Sequence, residues 1–194
     1  MIWIITSGLF ACMAIVCVVV SFKYPTLRRF TRYGALGSIL VAQILATVSS
    51  TAWISNGESG HLVRIYGGSP LNEGRIIAME GENGPQANLL TPGFHFQPFL
   101  RATYSLNSEP VVNIPEGKYG FLTAKDGAAL RPDQSFAEAF DPKLQEQMLS
   151  DVTFFLANGG QKGPQSTILT PGQYRLNKFL WDVRIEDATE IKAG

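Results

Sequence analysis

Two long uncharged stretches near the start of the chain constrain its fold more than any other feature. Residues 1–22 and 33–57 contain no charged side chain, and the hydrophobic centre of the second stretch is 35–54. About 20 consecutive apolar residues suffice for a helix to cross the hydrocarbon core of a bilayer. Pro25 interrupts the helical pattern between the stretches. We therefore predict a two-span transmembrane hairpin over residues 1–57.

The loop of this hairpin, residues 23–32, sets its predicted orientation. It carries four basic side chains and no acidic one: Lys23, Arg28, Arg29 and Arg32. Short loops rich in Lys and Arg stay in the cytoplasm, so everything after residue 55 is predicted to lie outside it, on the periplasmic side of a bacterial inner membrane. A signal peptide is the alternative for residues 1–22, but such peptides start with a basic region, and this chain starts Met-Ile-Trp-Ile.

Small residues recur at four-residue spacing in the second span and predict where another helix packs. Gly34, Ser38 and Ala42 begin this series, and small side chains let helix backbones approach closely in a bilayer. Gln43 is the strongly polar side chain of the span and should find a partner across a helix interface. A proton or cation pathway through the membrane would need acidic side chains, and this span has only one amide. We therefore assign these residues to helix packing.

One turn motif occurs twice in the sequence after residue 60. GPQANLLTPG at 84–93 and GPQSTILTPG at 163–172 agree at seven of ten positions, 79 residues apart. Proline presets φ for a turn and the following glycine accepts positive φ. Pro92 with Gly93, and Pro171 with Gly172, should each direct the chain into a new strand. The pattern predicts an internal duplication built from short strands.

The strands and one helix of this part can be placed from local patterns. Strands are predicted at 61–66, 75–79, 94–99, 111–114, 119–124, 174–181 and 183–191. Asp182, Arg184, Glu186 and Asp187 suit the exposed positions of an edge strand. A helical insertion is predicted at 134–158 in the second copy, with its N-cap at Asp141. Its apolar stripe could pack on the sheet or lie on the membrane, and the mixed charges of its polar face favour packing.

Two short motifs resemble those of the SPFH or band 7 family, which includes stomatin, prohibitin and flotillin. One motif, L-x-P-G-x-H followed by P-F, is matched by Leu90, Pro92, Gly93, His95, Pro98 and Phe99. The other, I-P-E-G-x-x-G-F-L, is matched by Ile114, Pro115, Gly117 and Gly120. Here the first motif precedes the second, and Gln173-Tyr174 replaces the apolar residue and His in the second copy. Tandem band 7-like modules would account for that order.

The resemblance implies a membrane-anchored scaffold. Members assemble laterally into large homo-oligomeric rings or cages and organise membrane microdomains, so the implied partners are membrane lipid, further copies and a membrane-protein client. The expected fold is α+β, with the hairpin at 1–57, a first band 7-like module at 58–110 and a second at 111–194. Because NIPEG at 113–117 and EIKAG at 190–194 follow the two turns at similar distances, we expect the second module to continue beyond residue 194.

Composition and motifs offer little for catalysis. Sixteen basic residues balance sixteen acidic ones, which gives no field for attracting nucleic acid. Cys12 and Cys17 both lie in the first span, and the two histidines, His61 and His95, belong to no metal-ligand cluster. Residues 79–84 are acidic but lack the alternating ligands of a calcium loop. We predict a non-enzyme without a cofactor; the alternative is an accessory subunit of a membrane enzyme complex such as a protease.

Overall fold

The structure is a computed structural model that describes residues 2–24, 26 and 28–188. Pro25 and the residues 190–194, which entered the sequence predictions, lie outside the described residues. The chain divides into two compact units. The helical unit comprises residues 1–53 and 94–104, and the β unit comprises residues 54–93 and 105–194. The domain boundaries predicted from the sequence stay predictions.

The helical unit consists mainly of two helices that pack against each other, α1 (Ile2–Lys23) and α2 (Arg28–Ser49). Both are long and apolar enough to cross a membrane. Ala14, Ala35 and Ser38 are buried in this hairpin, while large apolar side chains such as Phe22 and Leu36 point outward. An outward apolar surface on a helix pair is what a lipid environment requires.

The predicted second span over 35–54 is wrong at its C-terminal end. Helix α2 ends at Ser49, and strand β1, Thr51–Ile54, follows it. Hydroxyl groups end the helix: Ser49 and Ser50 both donate to the Ala46 carbonyl, at 2.8 and 2.7 Å. Such side-chain bonds compete with continued helical pairing. Strand β1 pairs instead with β4, Gly93–Phe96, which is followed by a short helix α3, Leu100–Thr103.

Eight further strands lie wholly or mainly in the β unit. They are β2 Glu58–Arg64, β3 Gly84–Leu90, β5 Tyr104–Pro110, β6 Val112–Ile114, β7 Lys118–Ala124, β8 Gly163–Leu169, β9 Gly172–Tyr174 and β10 Trp181–Asp187. The strand order is β3-β2-β5 in the first sheet and β8-β7-β10 in the second sheet. Strand β10 is therefore an edge strand, as Asp182 and Arg184 predict.

The two sheets repeat one another in connectivity and in register. Gly60 lies opposite Leu90 in the first sheet, and Gly120 lies opposite Leu169 in the second. Each central strand has an irregularity just after this pair, and the short pair β1-β4 is matched by β6-β9. We call β1 to β5 the first β repeat and β6 to β10 the second β repeat. The duplicated turn is thus part of a duplicated strand topology.

Close packing beneath each central strand explains why both repeats have glycine there. A Cβ on Gly120 would lie 2.6 Å from Ile114 Cδ1, and one on Gly60 would lie 2.8 Å from Ile54 Cδ1. Both distances are far below van der Waals contact, so a Cβ at either position would force the isoleucine side chain to shift.

The inserted helix is two short helices rather than the one predicted within 134–158. Helix α4 is Gln145–Ser150 and α5 is Val152–Ala157, with extended backbone at Asp151 between them. The cap is Asp151, which accepts a hydrogen bond from the Phe154 N–H at 3.0 Å. Asp141, the predicted cap, instead accepts from the Lys143 N–H before the helices start. The break leaves the Leu149 carbonyl to accept from the Trp181 indole N–H.

The core of the β unit joins both repeats. Phe155 lies edge-on to Trp181, with ring centroids 4.9 Å apart, and Phe140 closes the same aromatic cluster. Ile77 and Ala87 of the first repeat belong to this core, as do buried side chains of α4 and α5, so these helices pack on the core of the β unit. Two predicted strands are wrong: 75–79 has only an isolated bridge at Ala78, and 175–180 is irregular between β9 and β10.

Candidate functional site

The predicted turn residues lie between strands or, for Gly93 and Gly172, at the first residue of a strand. Pro92 and Pro171 precede Gly93 and Gly172, where φ is 124° and 154° and the chain passes from a three-stranded sheet into a two-stranded pair. The Pro115 carbonyl accepts a hydrogen bond from the Lys118 N–H at 3.2 Å across a turn whose third residue, Gly117, has φ 75°. Positive φ excludes most other residues there, and these corners carry no reactive side chain.

The predicted helix-packing residues differ in burial along α2. Ser38 is buried and donates to the Gly34 carbonyl at 2.8 Å. A Cβ on Gly34 would meet Cys17 Sγ of α1 at 3.5 Å, which is ordinary contact. Ala42 is half-buried, and Gln43 is exposed; both line an apolar groove of about 620 Å³ between the helices. The predicted topology residues Lys23, Arg29 and Arg32 are exposed, and Arg28 is the first residue of α2.

The most developed contact in the β unit is made by residues 177–180, which we call the second corner. Its side chains reach all three strands of the first sheet. Asn177 Nδ2 donates to the carbonyls of Gln86 and Ala87 in β3, at 3.0 and 2.9 Å. Phe179 lies edge-on to His61 of β2, with ring centroids 5.8 Å apart, and Lys178 forms an ion pair with Glu109 of β5. The second repeat thereby covers the outer face of the first sheet.

A second polar link joins the repeats near the core. Asp126 Oδ2 accepts hydrogen bonds from the backbone N–H groups of Ile76 and Ile77, at 2.8 and 2.7 Å. Its other oxygen accepts from the Gly127 N–H at 2.8 Å. Asp126 is buried, and a buried carboxylate is tolerated when backbone donors satisfy it in this way. The docking of the two repeats is therefore specified by polar groups as well as by apolar packing.

His61 is kept neutral by its position under the second corner. It is only 3 % exposed, and its Nδ1 is buried without a hydrogen-bond partner in the described part of the chain. Burial is the main cause that lowers the pKa of His61; the nearby Lys178 cation lowers it further, and Glu109 acts in the opposite direction. Burial thus favours the neutral imidazole, which packs edge-on against the Phe179 ring.

The equivalent face of the second sheet is partly exposed. Phe121 occupies in β7 the place of His61 in β2, since both adjoin the matched glycine and irregularity of the register. Phe121 is 45 % exposed, Tyr119 is 37 % exposed and Ile168, opposite Phe121, is 42 % exposed. Arg184 and Glu186 of β10 lie beside this apolar stripe and form an ion pair at 2.7 Å. We call these side chains the open face.

The helical unit contains a counterpart of the second corner. Residues 97–100, Gln-Pro-Phe-Leu, match 177–180, Asn-Lys-Phe-Leu, and we call them the first corner. The Leu100 N–H donates to the Gln97 carbonyl at 3.0 Å, just as the Leu180 N–H donates to the Asn177 carbonyl at 3.0 Å. Phe99 is 63 % exposed and has φ 59°.

Reactive chemistry finds little support in the described residues. No group of three or more His, Cys, Asp or Glu among them could hold a metal ion. A pocket of about 510 Å³ with a mixed polar and apolar lining lies beside α4, lined by Glu146, Ser150 and Arg175 among others. The Ser150 hydroxyl donates to the Glu146 carbonyl, and no histidine lines the pocket to serve as its base.

Sequence reasoning missed Asn177, Asp126 and the open face. The pair of tetrapeptides ending in Phe-Leu was a usable signal for the corners, because it lies just beyond the duplicated Leu-Thr-Pro-Gly turn in each copy. Comparison with protein-family models, with curated proteins and with solved structures found no match to this chain.

Proposed function

We propose that this protein is a membrane-anchored scaffold of the SPFH type, which self-assembles laterally into rings or cages and organises a membrane microdomain. The observation that carries the proposal is the one-sided contact between the β repeats. The second corner covers the outer face of the first sheet, whereas large apolar side chains on the equivalent face of the second sheet are exposed in the described part of the chain.

A contact in which each partner uses a different surface can be repeated from one copy of the protein to the next. In a two-fold contact both partners would use the same patch, and both faces would be covered. A head-to-tail contact leaves one docking surface open at the end of each unit, and its repetition gives rings when the rotation closes. The open face supplies such a surface, with three large apolar side chains exposed together: Tyr119, Phe121 and Ile168. Contiguous apolar patches of this type mark protein interaction sites.

The apolar helix pair supports the membrane part of the proposal. Anchoring by α1 and α2 would confine the β unit to the membrane surface, where lateral encounters between copies are favoured by the restricted volume. The basic loop favours the periplasmic side of a bacterial inner membrane for this surface.

The assembly can be tested on the full chain in its own membrane. Two forms with different affinity tags are co-expressed, extracted in mild detergent and purified through the first tag. We expect the second form to co-purify, in particles that contain many copies and no second polypeptide in stoichiometric amount. Recovery of a single copy would contradict self-assembly, and recovery of one copy with a stoichiometric enzyme subunit would instead favour an accessory role.

A further inference from the structure

We propose that the open face of one copy binds the first corner, residues 97–100, of a second copy, in the same way that the second corner covers the first sheet within one chain. The inference rests on the proposed self-assembly and names its contact surfaces. A second copy is the occupant we commit to because this chain itself carries the matching corner.

The positions required for this contact are present on both sides. Within the chain, the second corner uses an amide at Asn177 for β3 and an aromatic ring at Phe179 for β2. The first corner offers an amide at Gln97 and an aromatic ring at Phe99, in a turn closed by the corresponding backbone hydrogen bond. Its backbone differs from that of the second corner at one residue, because Phe99 has positive φ and Phe179 does not. The ring that would meet Phe99 is Phe121, which is at the place of His61. Aromatic pairs of this kind add to the gain from burial.

The charges at the third contact also agree. In the first sheet Glu109 pairs with Lys178 of the second corner. The equivalent acid of the second sheet is Glu186, which already has a cation in its own strand, Arg184, at 2.7 Å. The first corner has the uncharged Pro98 at the place of Lys178, so it adds no second positive charge beside the Arg184–Glu186 ion pair. The charged corner thus contacts the sheet whose acid has no cation in its own strand, and the uncharged corner contacts the sheet whose acid is already paired.

The first corner is held in a form ready for docking. The Gln97 N–H donates to the Ser50 carbonyl at 2.9 Å, and the Phe99 N–H donates to Ser50 Oγ at 3.1 Å. Phe99 is the one non-glycine residue with positive φ among those that the structure describes. Such a conformation costs free energy and persists where surrounding contacts enforce it, often at functional positions. Here it accompanies an exposed phenyl ring.

Cysteine crosslinking between two tagged copies tests this contact directly. Cys12 and Cys17 are replaced by alanine, and Pro98→Cys is placed in one full-length copy and Glu186→Cys in the other. These positions correspond to Lys178 and Glu109, which touch within one chain. The copies are co-expressed, and their membranes are treated with a short bismaleimide. We expect a crosslinked heterodimer carrying both tags.

Matched variants separate a specific contact from random collision and from misfolding. Asp133→Cys, on an exposed loop, replaces Glu186→Cys as the control and should give no crosslink with Pro98→Cys. Adding Phe121→Asp to the Glu186→Cys copy should abolish the crosslink, whereas Phe121→His, which introduces the residue of the first sheet, should retain it.

Three results would overturn the inference. Equal crosslinking at Asp133→Cys would show collision only, and retention with Phe121→Asp would exclude the open face. Large homo-oligomers that give no Pro98→Cys to Glu186→Cys crosslink would refute this contact while leaving the proposed scaffold standing. A chain that is single in the membrane would refute both.

Discussion

Replacing Asn177 by aspartate probes the contact that joins the two β repeats. The substitution Asn177→Asp keeps the size of the side chain and the oxygen that accepts the Phe179 N–H at 2.9 Å. It removes the two N–H donors to the Gln86 and Ala87 carbonyls. A carboxylate would then face two carbonyl oxygens at a residue that is fully buried.

The expected loss of stability is large for an isosteric change. Two lost hydrogen bonds contribute about 0.5–1.5 kcal/mol each, and unsatisfied buried groups and the buried charge raise the total to roughly 3–5 kcal/mol at neutral pH. For a chain of this size that corresponds to a fall in melting temperature of roughly 6–20 °C.

The pH dependence of this deficit provides a second signature. Burial beside two carbonyls disfavours the charged form, so the introduced carboxyl should have a raised pKa in the folded state. The folded variant then takes up a proton before the unfolded chain does. The deficit should therefore shrink as pH falls through the raised pKa, and it should be smallest below about 3.9, the unfolded value.

Thermal unfolding of the full chain in detergent measures both the loss of stability and its pH dependence. Unfolding is monitored by near-ultraviolet circular dichroism, to which the buried Trp181 contributes. Asn88→Asp is the matched control, because Asn88 lies in the same strand β3 but is exposed, and it should change stability by less than about 0.5 kcal/mol. Equal melting temperatures for the two variants, or a deficit at Asn177→Asp that does not shrink in acid, would refute the assigned hydrogen bonds.

Three further perturbations test other parts of the structure. Because burial lowers the pKa of His61 below 6.5, the unfolded chain binds a proton that the folded chain does not, and stability should fall as pH drops below about 6.5. His61→Phe should remove this part of the pH dependence in melting experiments; equal slopes in the wild type and in His61→Phe would contradict it. Gly120→Ala should destabilise by about 1–3 kcal/mol through overpacking, and adding Ile114→Val should recover part of that loss in urea unfolding, whereas strict additivity would show that the close approach is absent. Alkaline phosphatase, which is active only outside the cytoplasm, should be active when fused after Ala188; an inactive fusion would reverse the proposed orientation.

Features set by local chemistry were the ones that the sequence predicted well. Uncharged runs of helical length gave α1 and α2, and the repeated Leu-Thr-Pro-Gly marked the ends of β3 and β8. In both cases the decisive interactions lie within a few residues: backbone satisfaction in an apolar medium, and the φ values of proline and glycine. Because the turn residues are adjacent in the chain, the internal repeat is visible in the amino-acid sequence itself.

Features set by competition or by distant partners were predicted poorly. Hydropathy continues through Trp53 and Ile54, but hydroxyl groups end α2 at Ser49, and those apolar residues enter a strand. An apolar stripe continues across Asp151, yet its carboxylate caps a new helix and divides the stripe. The partners of Asn177 are 90 and 91 residues away, so no local pattern could assign them.

The stoichiometry of the full chain in native lipid discs tests most directly whether docking between β repeats continues from copy to copy. Native mass spectrometry of wild type and of Phe121→Asp, each released from its own membrane, gives the number of chains per particle. We predict many copies per particle for wild type and mainly single chains for Phe121→Asp, with unchanged circular dichroism. Single chains in wild type, or the same large particles from both proteins, would contradict head-to-tail assembly through the open face.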